Sequence, residues 1–136
     1  MNELLAEVSR LHSPGPPAMA EELAAFERRV GWTLDPDLRA FYLYCNGAIL
    51  FEDRKYGSPY GFLPLAKIDR ARFAIYGEDS DQWGPAHLYA LCDVRDGDYV
   101  ALDVSRQEHG RYPLIDAFHS SFYEQTRHRQ IASSLA

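Results

Sequence analysis

Apolar positions recur at helical spacing through the first third of the chain. Leu4, Val8 and Leu11 form the first set, and the prolines of His12-Ser13-Pro14-Gly15-Pro16-Pro17 end it because they cannot donate to a helical ladder. From Pro17 onward Met19, Leu23, Phe26 and Val30 recur at intervals of four, three and four, with Glu21, Glu22, Glu27, Arg28 and Arg29 between them. This spacing predicts an amphipathic helix closed by Gly31. Asp35-Pro36-Asp37 then supplies an N-cap, a proline for the first helical position and a carboxylate for the first turn. Leu38, Phe41, Tyr42 and Cys45 share one face of the helix that follows, which stops at Asn46-Gly47.

Beyond Gly47 the pattern changes. Ala48 to Glu52 reads as a strand, Gly57-Ser58-Pro59-Tyr60-Gly61 as a loop, Phe62 to Leu65 as a short extended piece, and Asp69 to Tyr76 as a helical turn. Gly77 to Pro85 has no periodicity and is expected to be an exposed loop. His87 to Val94 and Tyr99 to Val104 are β-rich runs joined by Arg95-Asp96-Gly97-Asp98, the turn chemistry of a hairpin. Arg111 to Ile115 is expected to be a third strand, placed at the sheet edge by Pro113. Ser121-Phe122-Tyr123-Glu124 has the form of a capping box opening a C-terminal helix to about Ser133, anchored by Phe122 and Ile131. N-terminal helices, a central antiparallel sheet containing a hairpin and a C-terminal helix make an α+β fold. With no repeat or linker, residues 1–136 are expected to form one domain.

Composition adds exclusions. Hydrophobic residues make up 46% of the chain and charged residues 25%, which is ordinary globular usage and excludes a disordered or collagenous chain. The longest apolar run, Ala40 to Cys45, is too short to span a membrane, and the start MNELLAEVSR lacks a basic segment followed by a continuous apolar one. A cytoplasmic protein without membrane contact is expected. Cys45 and Cys92 each lie in apolar stretches, where buried reduced thiols are expected.

Charge changes the picture more. The formal charge of −6 disfavours direct nucleic-acid binding, whose affinity comes from neutralised phosphates. Residues 76–103 hold Glu78, Asp79, Asp81, Asp93, Asp96, Asp98 and Asp103 against Arg95 alone, so this segment carries the whole imbalance. One reading is a solvated loop and hairpin that keep the chain soluble. The other is a docking surface for a basic partner, built from Glu78, Asp79, Asp81, Asp96 and Asp98 around Trp83. Tyr76 to Trp83 sets aromatic rings among carboxylates, a composition that interface hot spots favour. Reversing the charge of Glu78, Asp79 and Asp81 is then expected to slow association and leave the melting temperature nearly unchanged.

Catalytic arrangements are sparse. Neither a G-x-G-x-x-G nor a P-loop occurs, and Ser58 stands one place too early for G-x-S-x-G. The five histidines contain no H-x-x-x-H pair and there is no C-x-x-C, so no metal or cofactor is expected. Glu124 and His128 are four apart, the spacing of a surface ion pair. Asp98 and Asp103 fall on opposite faces of a regular strand, and Asp103 is expected to accept hydrogen bonds from the backbone or a tyrosine. No catalytic residue is assigned. A small hydrolase using His87 or Asp103 is the remote alternative.

Several segments together resemble a known family. Leu23-Ala24-Ala25-Phe26-Glu27-Arg28-Arg29-Val30-Gly31, Leu34-Asp35-Pro36-Asp37-Leu38-Arg39-Ala40-Phe41 and Asn46-Gly47 follow one another as in the SUKH superfamily of yeast Knr-type cell-wall regulators and bacterial toxin-immunity proteins. Phe62-Leu63-Pro64-Leu65, Asp96 to Asp103 and Ser121-Phe122 are similar to its later landmarks. Asp35, Leu38 and Ala48 depart from the pattern, which has proline, tyrosine and glycine there. The resemblance covers about Pro17 to Glu124 and implies an α+β domain without catalysis of its own. Phe26, Glu27, Gly31, Leu34, Pro36, Asn46, Gly47 and Asp103 are then structural positions. It also implies a protein partner: a toxin domain, nuclease toxins with basic clefts among them, neutralised by occlusion of its active site. The alternative is a constitutive scaffold or regulatory module of the Knr type.

Overall fold

The structure, a computed structural model, describes residues 2–11, 13–50, 60–94, 97–120, 122–123 and 128–135. Helix α1 spans Asn2–Leu11 and buries Leu5. Helix α2, Ala20–Val30, begins later than Pro17 because the Glu22 carboxylate reaches back to the Met19 N–H at 3.0 Å and fixes the first turn there. It ends at Gly31, whose φ of +82° is the left-handed conformation glycine adopts without strain. Helix α3, Pro36–Tyr44, is capped by Asp35, which accepts from Leu38 N at 2.9 Å.

Among the described residues, seven antiparallel strands make one sheet whose spatial order is the chain order. They are β1 (Ser13–Pro14), β2 (Ala48–Leu50), β3 (Tyr60–Phe62), β4 (Leu88–Asp93), β5 (Tyr99–Asp103), β6 (Leu114–Ala117) and β7 (Arg129–Ala132). Strands β4 and β5 form the expected hairpin, with Tyr89 opposite Leu102 and Asp93 opposite Tyr99. Side-chain alternation splits the core between the two faces of the sheet. Tyr89, Leu91, Leu102 and Leu114 pack with Leu23 and Phe26 of α2 and with Leu38, Phe41 and Tyr42 of α3. Leu88, Ala101, Ile115 and Ala117 point the other way, onto Phe122 and onto Ala71 of helix α4 (Ala71–Tyr76). Burial from both sides explains the unbroken apolar run Leu88 to Cys92.

The C-terminal helix expected over 121–133 is corrected at its end. Residues 129–132 are strand β7, paired with β6, and Phe122 lies in a turn; Ser121 and 124–127 lie outside the described residues. Phe122 and Ile131, nine positions apart, cannot form a helical stripe, whereas β6 presents a row of backbone groups that needs a partner. The placement of the third strand is also corrected. It runs Leu114–Ala117 and lies inside the sheet between β5 and β7. Pro113 stays outside it, fully buried, and accepts Asp103 N through its carbonyl at 3.0 Å. The extended piece expected at Phe62 to Leu65 is strand only to Phe62, and Leu65–Lys67 is a 3₁₀ turn. The end of the first expected strand, Phe51 and Glu52, and the loop residues Gly57 to Pro59 lie outside the described residues, as do Arg95 and Asp96.

Candidate functional site

Five of the six residues selected by charge and aromaticity are described, and contacts link them along one side of the molecule. Asp96 lies outside the described residues. Helix α4 ends at Gly77, in the left-handed conformation, and releases the loop 77–85, which closes one 3₁₀ turn at Asp81–Trp83. Trp83 lies 4.9 Å from the Tyr76 ring and donates its indole N–H to Glu78 Oε2 at 2.8 Å. The Tyr76 hydroxyl donates to the His119 carbonyl at 2.6 Å, and burial raises its pKa. The His119 backbone N–H in turn donates to Asp98 Oδ1 at 2.8 Å, and its Nδ1 lies 2.7 Å from the same oxygen. The acidic loop and the end of the β4–β5 hairpin are thus joined through Tyr76 and His119.

The loop carries less free charge than the sequence suggests. The Arg72 side chain, only 6% exposed, reaches Asp79 Oδ1 with Nε at 2.6 Å and Asp81 Oδ1 with Nη1 at 2.6 Å. Its Nη1 also meets the Gly84 carbonyl at 3.2 Å, and Arg70 Nη1 holds the second Asp79 oxygen at 2.7 Å. The hydrogen bond from Arg72, aided by Arg70, keeps the Asp79 carboxyl below its ordinary pKa. Burial is the largest single influence on Arg72 and lowers its pKa, but the bonds from Asp81 and Asp79 together outweigh it and raise the pKa. Two of the three loop carboxylates, Asp79 and Asp81, are therefore paired with two guanidinium groups. Counting from residue 76 hid this, since both arginines precede it. Asp79 holds two cations, so its reversal is expected to lower the melting temperature, whereas Asp81, 97% exposed, and Glu78 remain the accessible acids.

Within the loop, Gly84 takes φ +127°, and a Cβ there would stand 2.6 Å from the Phe122 ring. Phe122 is fully buried, its carbonyl 2.6 Å from His128 Nε2 and its ring stacked on the imidazole at 4.8 Å. Composition and spacing gave no sign of Arg72 and His119 as members of this face; the Arg-Ala-Arg just before the acidic run was the available signal.

Two other concavities are notable. An apolar groove of about 500 Å³ runs past Gly47, Ile49, Phe62 and Pro64. A polar cavity of about 290 Å³ contains His87, Asp103, Arg106 and His128. Within it Asp103 accepts from Ser105 N at 3.0 Å, Ser105 Oγ at 2.5 Å and Arg106 Nε at 3.1 Å, while His87 Nε2 stands 3.8 Å away. The serine hydroxyl is bonded to this carboxylate and not to an imidazole. Backbone acceptance by Asp103 matches the reading of its sequence position, with Ser105 and Arg106 as partners in place of a tyrosine. Among the described residues, no three His, Cys, Asp or Glu side chains are grouped to hold a metal ion, and no helix is long and apolar enough to cross a membrane. Cys45 and Cys92 are both buried, and burial pushes the Cys45 thiol up to about 11.

Residues 17–136 match the sequence profile of the SMI1 / KNR4 family (SUKH-1). The chain belongs to that family. A 78-residue stretch is 30% identical to a protein named Immunity protein YokJ from Bacillus subtilis (strain 168), covering 57% of this chain and 46% of that protein. The matched stretch thus spans just under half the length of that relative.

In this SUKH-1 chain the residues carrying the family pattern lie at backbone joints. Phe26 and Leu34 are buried, and Glu27 Oε2 accepts Leu34 N at 2.7 Å while pairing with Arg39 at 3.0 Å. Pro36 opens α3, and Asn46 Oδ1 accepts Leu65 N at 2.8 Å. Gly47 takes φ +91°, where a Cβ would meet the Phe62 carbonyl oxygen at 2.8 Å. The three departures fit this framework: Asp35 caps α3, Leu38 is fully buried, and Ala48 sits in extended β2 with no need of a glycine.

Proposed function

We propose that this SUKH-1 chain is an immunity protein that binds a toxin domain and neutralises it by covering its active site. The observation that carries this reading is its similarity to a protein named an immunity protein, within a family whose profile it matches over most of its length. The contact is the face around Trp83: Glu78, Asp79 and Asp81 on the loop, with Asp98 at the hairpin end. Tyr76 and Trp83 offer rigid aromatic area with polar tips, and Glu78 and Asp81 offer exposed carboxylates to a basic cleft such as a nuclease uses for phosphates. The mechanism is steric and electrostatic. Asp103, the best candidate acid in the polar cavity, is held by its own turn, which supports a role without catalysis.

The test reads the genes neighbouring this one and co-expresses the chain with any toxin domain found there. Growth is expected to be rescued by the intact chain, and W83A and E78K are expected to weaken binding by roughly tenfold or more with little change in melting temperature. Failure of the intact chain to rescue would remove the immunity role and favour a scaffold module. Full rescue and unchanged affinity in both variants would place the contact elsewhere.

A further inference from the structure

We infer that Arg72 is a positioning residue for the partner contact, holding the 77–85 loop in its binding shape before a partner arrives. This rests on the assignment of that face under Proposed function. Arg72 belongs to α4, yet its guanidinium lies under the loop and engages three separate points of it: Asp79, Asp81 and the Gly84 carbonyl. A planar fork with several fixed donors can do this, whereas an ammonium group presents a single point charge. The loop has little order of its own: Trp83 N donates to Ser80 O at 3.0 Å, and Gly84 N to Asp81 O at 3.4 Å.

Burying a cation with its carboxylates adds little stability by itself, because desolvation offsets the attraction. Its clearest effect is conformational. With Asp79, Asp81 and Gly84 fixed from below, Trp83 between them is aimed at Tyr76 and Glu78. Ordering a loop during association costs affinity, and a loop ordered in advance avoids that cost. The competing explanation is that Arg72 only balances charge.

The experiment compares R72Q, W83A and the triple variant R72Q/D79N/D81N with the intact chain. It measures hydrogen exchange at the Trp83 and Gly84 amides, the Trp83 indole resonance, and association with the toxin domain named above. In R72Q the two amides are expected to exchange roughly tenfold faster while β4 and β5 amides keep their rates. The indole resonance shifts, and the association rate falls roughly fivefold or more. The triple variant, with charge balanced, is expected to exchange as fast as R72Q. Unchanged amide exchange in R72Q, or recovery of slow exchange in the triple variant, would overturn the proposal. If R72Q associates normally while W83A does not, the face stands and the role of Arg72 falls. If neither affects binding, the face is wrong and its positioning residue falls with it. Should R72Q fail to fold, D79N and D81N each remove one arm and carry the amide-exchange comparison.

Discussion

At the scale of single residues, the buried carboxylate of Asp103 has a calculable effect on acid stability. Burial is the largest influence on it and raises its pKa, but Ser105, through side chain and backbone, and Arg106 together pull the folded value below the ordinary one. The unfolded chain then binds more protons between the folded pKa and the free value of about 3.9, so stability rises with pH across that window. The contribution is complete above it and lost as pH falls through the folded pKa. D103N is expected to be less stable at neutral pH and to show a shallower loss of stability on acidification below about pH 4, read from urea midpoints at several pH values. That Asp103 has hydrogen-bond work was legible in its position at the end of an alternating run. Its partners were not, since a turn's geometry decides which of the following residues fold back.

At the scale of elements, the loop and its seat act together. A methyl group at Gly84 meets a ring that cannot withdraw, because Phe122 is fully buried, and φ +127° is unfavourable for any side chain. G84A is expected to cost about 1–3 kcal/mol, from overpacking and backbone strain. Less of that cost should appear in an F122L background, a coupling measurable by a double-mutant cycle on thermal unfolding. Elements with strong local signals were read well: α2 and α3 from their apolar intervals, and the β4–β5 hairpin from Asp-Gly. Elements without local signals were missed: β1 and the start of β3 fall in segments read as a proline break and a loop, and β7, Arg-Gln-Ile-Ala, has neither alternation nor β-rich composition and owes its conformation to the neighbouring strand. The pairing of Arg72 with Asp79 and Asp81 was likewise invisible to a charge count along the chain. It depends on α4 turning the arginine under the loop.

At the scale of the whole molecule, the helical layer and the far strands are joined by a few distant bonds. Asp35, 3% exposed, caps α3 with one oxygen and accepts Tyr112 N, 77 residues later, with the other at 2.9 Å. Arg111 adds an ion pair to Asp37 at 3.2 Å, and the Tyr112 hydroxyl donates to the Thr33 carbonyl at 2.8 Å. D35A removes a cap and leaves a buried N–H unpaired, so a loss of about 2–4 kcal/mol is expected. D35N keeps one acceptor and is expected to fall between D35A and the intact chain. The urea midpoint should shift at constant slope in both. Sequence reading found the cap but not its second partner, as no periodicity links residues so far apart.

The sheet whose strands succeed one another in space as they do along the chain has a kinetic consequence. Each strand can zip onto a predecessor already in place, with modest loop-closure entropy at every step and no need to thread between partners. During synthesis the ribosome delivers every strand after the neighbour it pairs with. The bonds from Tyr112 back to Thr33 and Asp35 span 79 and 77 residues, and can latch only once that assembly has brought the two ends together.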